Sequence, residues 1–259
     1  MKRMFAFGCS FTEYVWPTWA DIVGQSFDYY ENWGLAGSGN YLISSRVLEC
    51  HQVNKLTAND TVFVMYTSIP RIDFYTSAWT RNGNIFNAHS LPYEQQWRDN
   101  NWSFTQGFYN TWMAIKQTKI LLDSIGCNYK FMKAFDISPT VGHELQQFNP
   151  PVQEQEFYKE YVDDIDSYFG QEPNMLTWLQ QNRQFKPYVF KKSNAGDNWV
   201  DYHPTVKHHE LWCRLYLSEY YTNQLSAEFI ENNIPLHDQQ AAMRHNYNIN
   251  RNCGRFLLR

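Results

Sequence analysis

The sequence predicts an α/β fold: a three-layer α/β/α sandwich with a mostly parallel central sheet. Three observations carry this expectation. Short β-branched or apolar runs alternate along the chain with stretches whose apolar residues keep helical spacing. The runs at residues 4–7 and 61–66 are continuously apolar rather than alternating, as in strands covered on both faces. The chain has 259 residues, 43% of them hydrophobic and 19% charged, enough for one large domain with insertions.

Taken in order, residues 4–7 (Met-Phe-Ala-Phe) form a first strand ended by Gly8. A helix spans about 16–23, opened after Pro17, where a missing N–H does no harm. The aromatic stretch 26–33 is a second strand. It closes into the glycine-rich turn Gly34-Leu35-Ala36-Gly37-Ser38-Gly39-Asn40. Leu42, Ile43, Val47 and Leu48 then keep helical spacing from Tyr41 to about Val53. Asn59-Asp60 turns the chain into Thr61-Val62-Phe63-Val64-Met65-Tyr66, the clearest strand and an expected central one.

Residues from about 71 to 106 are polar, aromatic and aperiodic, and read as an insertion or cap over the sheet edge. Helical spacing returns from Asn110 to Ser124, with Gly126 where a helix C-terminus favours glycine, and residues 129–135 supply another strand. A second insertion covers about 138–196: a proline-bearing loop from 138 to 151, then helices at about 156–169 and 174–181. Thr205 is a helix N-cap for a run through Tyr220. This makes a single domain over 1–225 and a polar extension over 226–259, with a short helix expected at 226–231.

Composition removes several function classes. Net charge is −4 and the basic residues are scattered, so the stripe that a nucleic-acid binder needs is missing. The five cysteines (Cys9, Cys50, Cys127, Cys213, Cys253) are odd in number and lack CxxC spacing. That argues against a disulfide framework and a structural zinc, and for a reducing compartment. The apolar run at residues 4–7 is too short for a signal peptide, and no window is long enough to cross a bilayer. The expectation is a soluble cytoplasmic protein without cofactor or metal. Aromatics reach 18%, which can fill a core or line a sugar-binding cleft.

In a parallel sheet the chemistry gathers in the loops beyond the carboxyl ends of the strands, at a topological switch point. After the first strand stands Gly8-Cys9-Ser10-Phe11-Thr12. Gly8 permits a tight turn, and a serine at a following helix N-terminus can attack a carbonyl while its own N–H holds the oxyanion. Read alone, the same serine also suits a helix cap. Near the C-terminus stands Asp201-Tyr202-His203-Pro204-Thr205. Histidine is the base best matched to neutral pH, an acidic partner fixes its tautomer, and Pro204 keeps His203 in extended backbone.

Together these blocks resemble the SGNH (GDSL-like) hydrolases. That family's first block, with its serine just after strand one, is matched by Gly8-Cys9-Ser10. Its second block is matched by Asn32 and Gly37, and its last by Asp201, His203 and Pro204 before the final helix. The likeness covers about residues 4–70 and 197–222. It implies a flavodoxin-like sheet, with Ser10 as nucleophile, His203 as base and Asp201 as orienting carboxylate. It also implies an oxyanion hole with arms from the backbone N–H groups of Ser10 and Gly37.

The third block departs from the family. Where the family carries Gly-x-Asn-Asp, with the asparagine as third donor, this chain reads Tyr66-Thr67-Ser68-Ile69-Pro70-Arg71. Ser68, Arg71 and Asn40 are the candidates for a third donor or for substrate binding, and Arg71 would suit a negatively charged substrate. Asp201 and His203 are separated by one residue rather than the family's two. Asp201 therefore reaches the imidazole differently or leaves that task to a backbone carbonyl.

Other clusters read as structural. His208-His209-Glu210 lacks the second histidine of H-E-x-x-H, Asp163, Asp164 and Asp166 lack calcium-loop spacing, and Cys9 suits a buried small residue. The resemblance implies ester hydrolysis through an acyl-enzyme on a small-molecule or glycan ester. Trp79, Trp97 and Trp102 tilt the expectation towards O-acylated carbohydrate. A non-catalytic ligand- or glycan-binding protein on the same fold, or an acyltransferase, are the alternatives.

Overall fold

The computed structural model describes residues 1–14, 16–75, 79–84, 100–137, 161–182, 188–191, 198–221 and 252–253. The strand Arg3–Phe7 (β1) lies in the middle of a five-stranded sheet. On one side it pairs with Asp60–Tyr66 (β3), which pairs with Asn128–Lys133 (β6). On the other it pairs with Tyr29–Asn32 (β2), which pairs with Asn252–Cys253 (β9). Every pairing is parallel, in the order β6-β3-β1-β2-β9. β3 is buried at all its positions and interior to the sheet, as its unbroken apolar run predicts.

Alternating side chains send the core to two faces. Phe5, Phe7, Val62, Val64 and Tyr66 pack beneath Asn40–Asn54 (α2) and Phe104–Ile125 (α3), through Ile43, Val47, Phe108 and Ile115. Met4, Ala6, Phe63 and Met65 pack on the opposite face, beneath Trp19–Gly24 (α1), Met175–Gln181 (α4) and Val206–Tyr216 (α5). Trp19, Trp178 and Trp212 fill that side. Much of the aromatic surplus is therefore core. The parallel sheet with helices on both faces is the expected three-layer arrangement. Chain order reverses at β1, between β2 and β3, which makes the loops after β1 and β3 the switch point.

The differences from expectation have local causes. α1 begins at Trp19, later than expected, because Thr18 is its N-cap: the Thr18 amide donates to Asp21 Oδ2 at 2.9 Å and Pro17 lies outside the helix. α3 begins at Phe104, six residues early, because the Ser103 hydroxyl accepts from the Gln106 amide at 3.1 Å. Part of the segment read as aperiodic forms an antiparallel hairpin, Arg71–Tyr75 (β4) and Trp79–Asn84 (β5); the first strand alternates only briefly and the second, beyond Trp79, has no apolar residue to mark the strand period. A second hairpin pairs Tyr188–Lys191 (β7), within the second insertion, with Asn198–Asp201 (β8), just after it.

α5 stops at Tyr216 rather than Tyr220, since Leu217 leaves helical geometry. Residues 161–166 are helical within the expected 156–169 helix. The expected loop at 138–151 and helix at 226–231 lie outside the described residues, as do residues 156–160. Among the described residues, no helix is long and apolar enough to cross a membrane.

Candidate active site

Ser10 stands in a turn at the carboxyl end of β1, not at a helix N-terminus as the sequence suggested; the next helix begins only at Trp19. The Cys9 carbonyl closes the turn by accepting from the amides of Thr12 (2.9 Å) and Glu13 (3.0 Å). A Cβ at Gly8 would meet the Met65 carbonyl oxygen at 3.0 Å and Thr12 Cβ at 2.9 Å, so only glycine allows the chain to fold this tightly. Asn32 Nδ2 and Thr18 Oγ1 both donate to the Thr12 carbonyl, at 2.8 and 2.5 Å. Asn32 Oδ1 accepts from the Gly34 amide at 3.0 Å, and the Leu35 amide donates to the Gly8 carbonyl at 2.9 Å. The β2–α2 turn is thus sewn to the Ser10 turn. Gly37 follows within it at φ 84°, a left-handed conformation that favours glycine.

The other half of the site arrives on the hairpin end and the N-terminus of α5. Asp201 closes β8, and Thr205 caps α5. His203 Nε2 lies 3.0 Å from Ser10 Oγ, and His203 Nδ1 lies 2.7 Å from Asp201 Oδ1. The sequence spacing left the route from Asp201 to the imidazole open, and the structure settles it. The same Oδ1 also accepts from the His203 amide at 2.9 Å, so the carboxylate turns back on its own loop and meets the ring directly. Ring nitrogen roles follow from these partners: Nδ1–H faces the carboxylate, and Nε2 is left to accept from the serine. Burial pushes the Asp201 carboxyl up. The hydrogen bonds from His203 and Tyr14, with the His203 amide and charge, outweigh this and hold it below the usual carboxylate range.

Three aromatic residues that the sequence did not single out frame this group. Tyr14 donates to Asp201 Oδ2 at 2.6 Å, and its ring stacks on the imidazole with centroids 4.0 Å apart at 22°. Trp16 meets Tyr14 edge-on at 4.6 Å and donates from its indole N–H to the Pro204 carbonyl at 2.8 Å. Phe11 presents an edge contact to His203 at 5.8 Å. Tyr14 and Trp16 follow Ser10 closely in the chain, but their partners lie nearly two hundred residues away, so nothing local announces the pairing.

The loop after β3 is used differently from expectation. Asn40, a candidate third donor, is buried and its amide is committed: Nδ2 donates to the Thr67 carbonyl (2.9 Å) and Thr111 Oγ1 (3.2 Å), while Oδ1 accepts from the Thr67 amide (2.8 Å). It clamps the loop to α2 and α3, and its side-chain amide has no N–H left to offer. Ile69 is buried in the core beneath α3. The Ser68 hydroxyl is buried and without a hydrogen-bond partner among the described residues. Arg71, half-buried, lies over the Phe135 ring at 4.8 Å, and Phe135 packs on Phe11 at 5.0 Å. The Arg71 hydrogen bond to the Ser38 carbonyl is long, at 3.5 Å, and Arg71 Nε has no hydrogen-bond partner among the described residues. Asp73, another residue the sequence did not mark, accepts from the amides of Gly39 (2.8 Å) and Leu42 (3.0 Å) and fixes the start of α2.

The remaining clusters are structural. His208 lies against the cap residue Thr205, with its Nδ1 2.8 Å from Thr205 Oγ1, and Glu210 pairs with Arg214. Asp164 accepts from Trp112 Nε1 (2.8 Å) and from Lys116 (3.0 Å), clasping the 161–166 helix to α3. Cys9 is fully buried on the α1 face.

No family model matches the chain, and no curated protein matches it. Among solved structures, it is similar to a protein of the G-D-S-L family from Desulfitobacterium hafniense DCB-2. Identity there is 15% and the TM-score 0.43, over 84% of this chain and 98% of that one. A member of the lipolytic protein G-D-S-L family from Veillonella parvula DSM 2008 is similar at 13% identity and TM-score 0.43, over 84% and 99%. A gut microbial diltiazem-metabolizing enzyme is similar at 12% identity and TM-score 0.41, over 84% of this chain and 46% of that one.

Proposed function

We propose that the protein is an SGNH-type serine hydrolase that cleaves an ester through an acyl-enzyme on Ser10. The observation that carries this reading is the unbroken hydrogen-bonded series Ser10–His203–Asp201, at 3.0 and 2.7 Å, at the switch point of a parallel sheet. A nucleophile, a base and an orienting carboxylate within hydrogen-bond reach form the minimal set for acyl transfer.

Ser10 Oγ attacks the ester carbonyl carbon as His203 Nε2 takes its proton. The carbonyl π pair moves to oxygen, and the resulting oxyanion lies against the amides of Ser10 and Gly37. We assign the third donor to the Ser68 hydroxyl, which is buried and without a hydrogen-bond partner among the described residues, while Arg71 binds the substrate. Collapse breaks the bond to the leaving alcohol, which takes the proton from His203. Water then attacks the acyl carbon and gives one proton to His203, and the Ser10–acyl bond breaks as Ser10 Oγ takes that proton from His203, releasing the acid. Asp201 stays ionised throughout and steadies the imidazolium. An alcohol in place of water would make the same site an acyltransferase.

A polar substrate, such as an O-acylated carbohydrate, suits the surroundings. A cavity of about 600 Å³ beside the site shares Arg71 with it but is not lined by Ser10 or His203; it presents Trp102, Gln106, Tyr109 and Asn110 next to the apolar Ile72 and Met113. The side chains of Trp79 and Trp97 lie outside the described residues.

The test is labelling by a fluorophosphonate probe of wild type, Ser10→Ala and His203→Ala. Labelling of wild type alone supports the reading. A folded wild type that does not label favours a non-catalytic binding protein and moves the enquiry to glycan binding.

A further inference from the structure

Tyr14 touches both members of the Asp201–His203 pair, and this double contact has a function beyond packing. We propose that Tyr14 is a positioning residue for the base: it locks the carboxylate through its hydroxyl and the imidazole through its ring. The proposal rests on the serine-hydrolase reading above.

With a single residue between them, Asp201 and His203 lie on one tight loop. Asp201 Oδ1 serves the His203 ring at 2.7 Å and its amide at 2.9 Å. A carboxylate bound through one oxygen can still rotate about its χ2 torsion, which has a broad well. The Tyr14 hydroxyl takes the second oxygen, at 2.6 Å, and removes that freedom. Asp201 is then held at both oxygens within a buried setting, where hydrogen bonds to an ion are strong.

The ring supplies the second half of the clamp. It lies 4.0 Å from the imidazole and nearly parallel to it, so a protonated His203 meets the negative face of an aromatic ring. Phe11 bounds the imidazole with an edge contact. Tyr14 does not float: Trp16 backs it at 4.6 Å and is tied to the Pro204 carbonyl, one residue beyond His203. The segment carrying the nucleophile therefore grips the loop carrying the base.

Two substitutions separate the halves of the clamp. Tyr14→Phe removes the hydroxyl and keeps the ring, whereas Tyr14→Leu removes both. The measurement is the second-order rate of fluorophosphonate labelling against pH. The titratable groups facing His203 are Asp201, Tyr14 and, from α5, the buried His209. Tyr14→Phe should label about tenfold more slowly. Its acid limb should move to higher pH, because Asp201 then concentrates its charge on the imidazolium. Relative to Tyr14→Phe, Tyr14→Leu should move the limb back to lower pH, because the ring that favours the imidazolium is gone.

A packing role alone would slow both variants, if at all, without opposed movement of the limb. Wild-type rate and profile in Tyr14→Phe, with wild type labelling normally, would overturn the positioning role and leave the hydrolase reading standing. A folded wild type that does not label overturns both. Tyr14→Phe is nearly isosteric, so the test survives if Tyr14→Leu fails to fold.

Discussion

The two sides of the site are finished to different degrees. On the Ser10–His203–Asp201 side the three functional side chains are paired, although Thr12 Oγ1 in the same turn is buried without a partner among the described residues: the serine meets the imidazole, the imidazole meets the carboxylate, and that carboxylate is held at both oxygens. On the side formed by the β3–β4 loop, the hydroxyls of Thr67 and Ser68, that of Ser38 nearby, and Arg71 Nε are buried without hydrogen-bond partners among the described residues. Buried polar groups are ordinarily paired, because leaving one unmade costs about 1–3 kcal/mol. On the serine-hydrolase reading proposed above, the contrast would distinguish a pre-organised reaction centre from a surface whose partners arrive with the substrate. A guanidinium stacked on Phe135 and short of acceptors is suited to a ligand that brings oxygens.

The comparison breaks most decisively at the finished side. Ser10→Ala should lower turnover on the order of a millionfold, because removing the nucleophile removes the acyl-enzyme route. The melting temperature should hold, since Ser10 Oγ contributes one hydrogen bond. Substantial ester hydrolysis by that variant would reject Ser10. Asp201→Asn should lower kcat on the order of ten-thousandfold by permitting the wrong imidazole tautomer. An asparagine NH2 turned to the His203 amide would meet it with the wrong polarity, and turned to Tyr14 it would donate to the hydroxyl oxygen and leave the hydroxyl proton without its acceptor, so some stability should be lost as well. Steady-state kinetics on a short-chain ester, set beside thermal melts, would read both.

The open side should respond more gently and in a different parameter. Ser68→Ala should reduce kcat by about a hundredfold with KM little changed, as expected for a donor that acts on the oxyanion. Arg71→Ala should raise KM more than it lowers kcat, since its part is to bind substrate. Kinetics that interchange these two patterns would reverse the assignment of donor and binder. Unchanged kinetics in both variants across several esters would remove the loop from the site.

The same division marks what the sequence could reveal. The finished side uses residues whose chemistry is scarce and whose positions are topologically fixed: a serine after the first strand, and an aspartate and histidine before the last helix. Ser10, Asp201 and His203 could be read for that reason. The tight β1 turn was legible only in part, because Gly8 signals a turn without saying that Thr12 will close it and delay α1 to Trp19. The partners that engage the Asn40 side-chain amide were not legible, because Thr67 and Thr111 lie 27 and 71 residues away. Tyr14 was missed for a similar reason, since its partner Asp201 is 187 residues away. The sheet was readable because a parallel strand carries a continuous apolar run. The β4–β5 hairpin was not, because the alternation Arg71-Ile72-Asp73-Phe74 is short and its partner, Thr80-Arg81-Asn82-Gly83-Asn84, carries no apolar residue to match it.

The finished side also carries a pH liability of its own, in the helix that follows His203. Burial pushes the His208 imidazole down to about 4 from its ordinary 6.5, against a smaller opposing effect from the Asn182 backbone. Burial lowers His209 as well, reinforced by the charges of His208 and His203. Each histidine is held neutral in the folded protein, so the unfolded chain binds protons first as pH falls. The stability they contribute is therefore fully present above about pH 6.5 and declines towards pH 4. Asp201 acts in a lower window: its folded carboxyl lies below the ordinary 3.8, so its contribution persists above that value and is lost only below it. Thermal melts should thus fall between neutral pH and pH 4 before any carboxylate of the site is protonated. His208→Asn, whose side-chain oxygen can still accept from the Thr205 amide, should flatten that fall by removing one titrating group. An equally steep fall in His208→Asn would place the liability elsewhere and leave the α5 cap as a purely geometric support for His203.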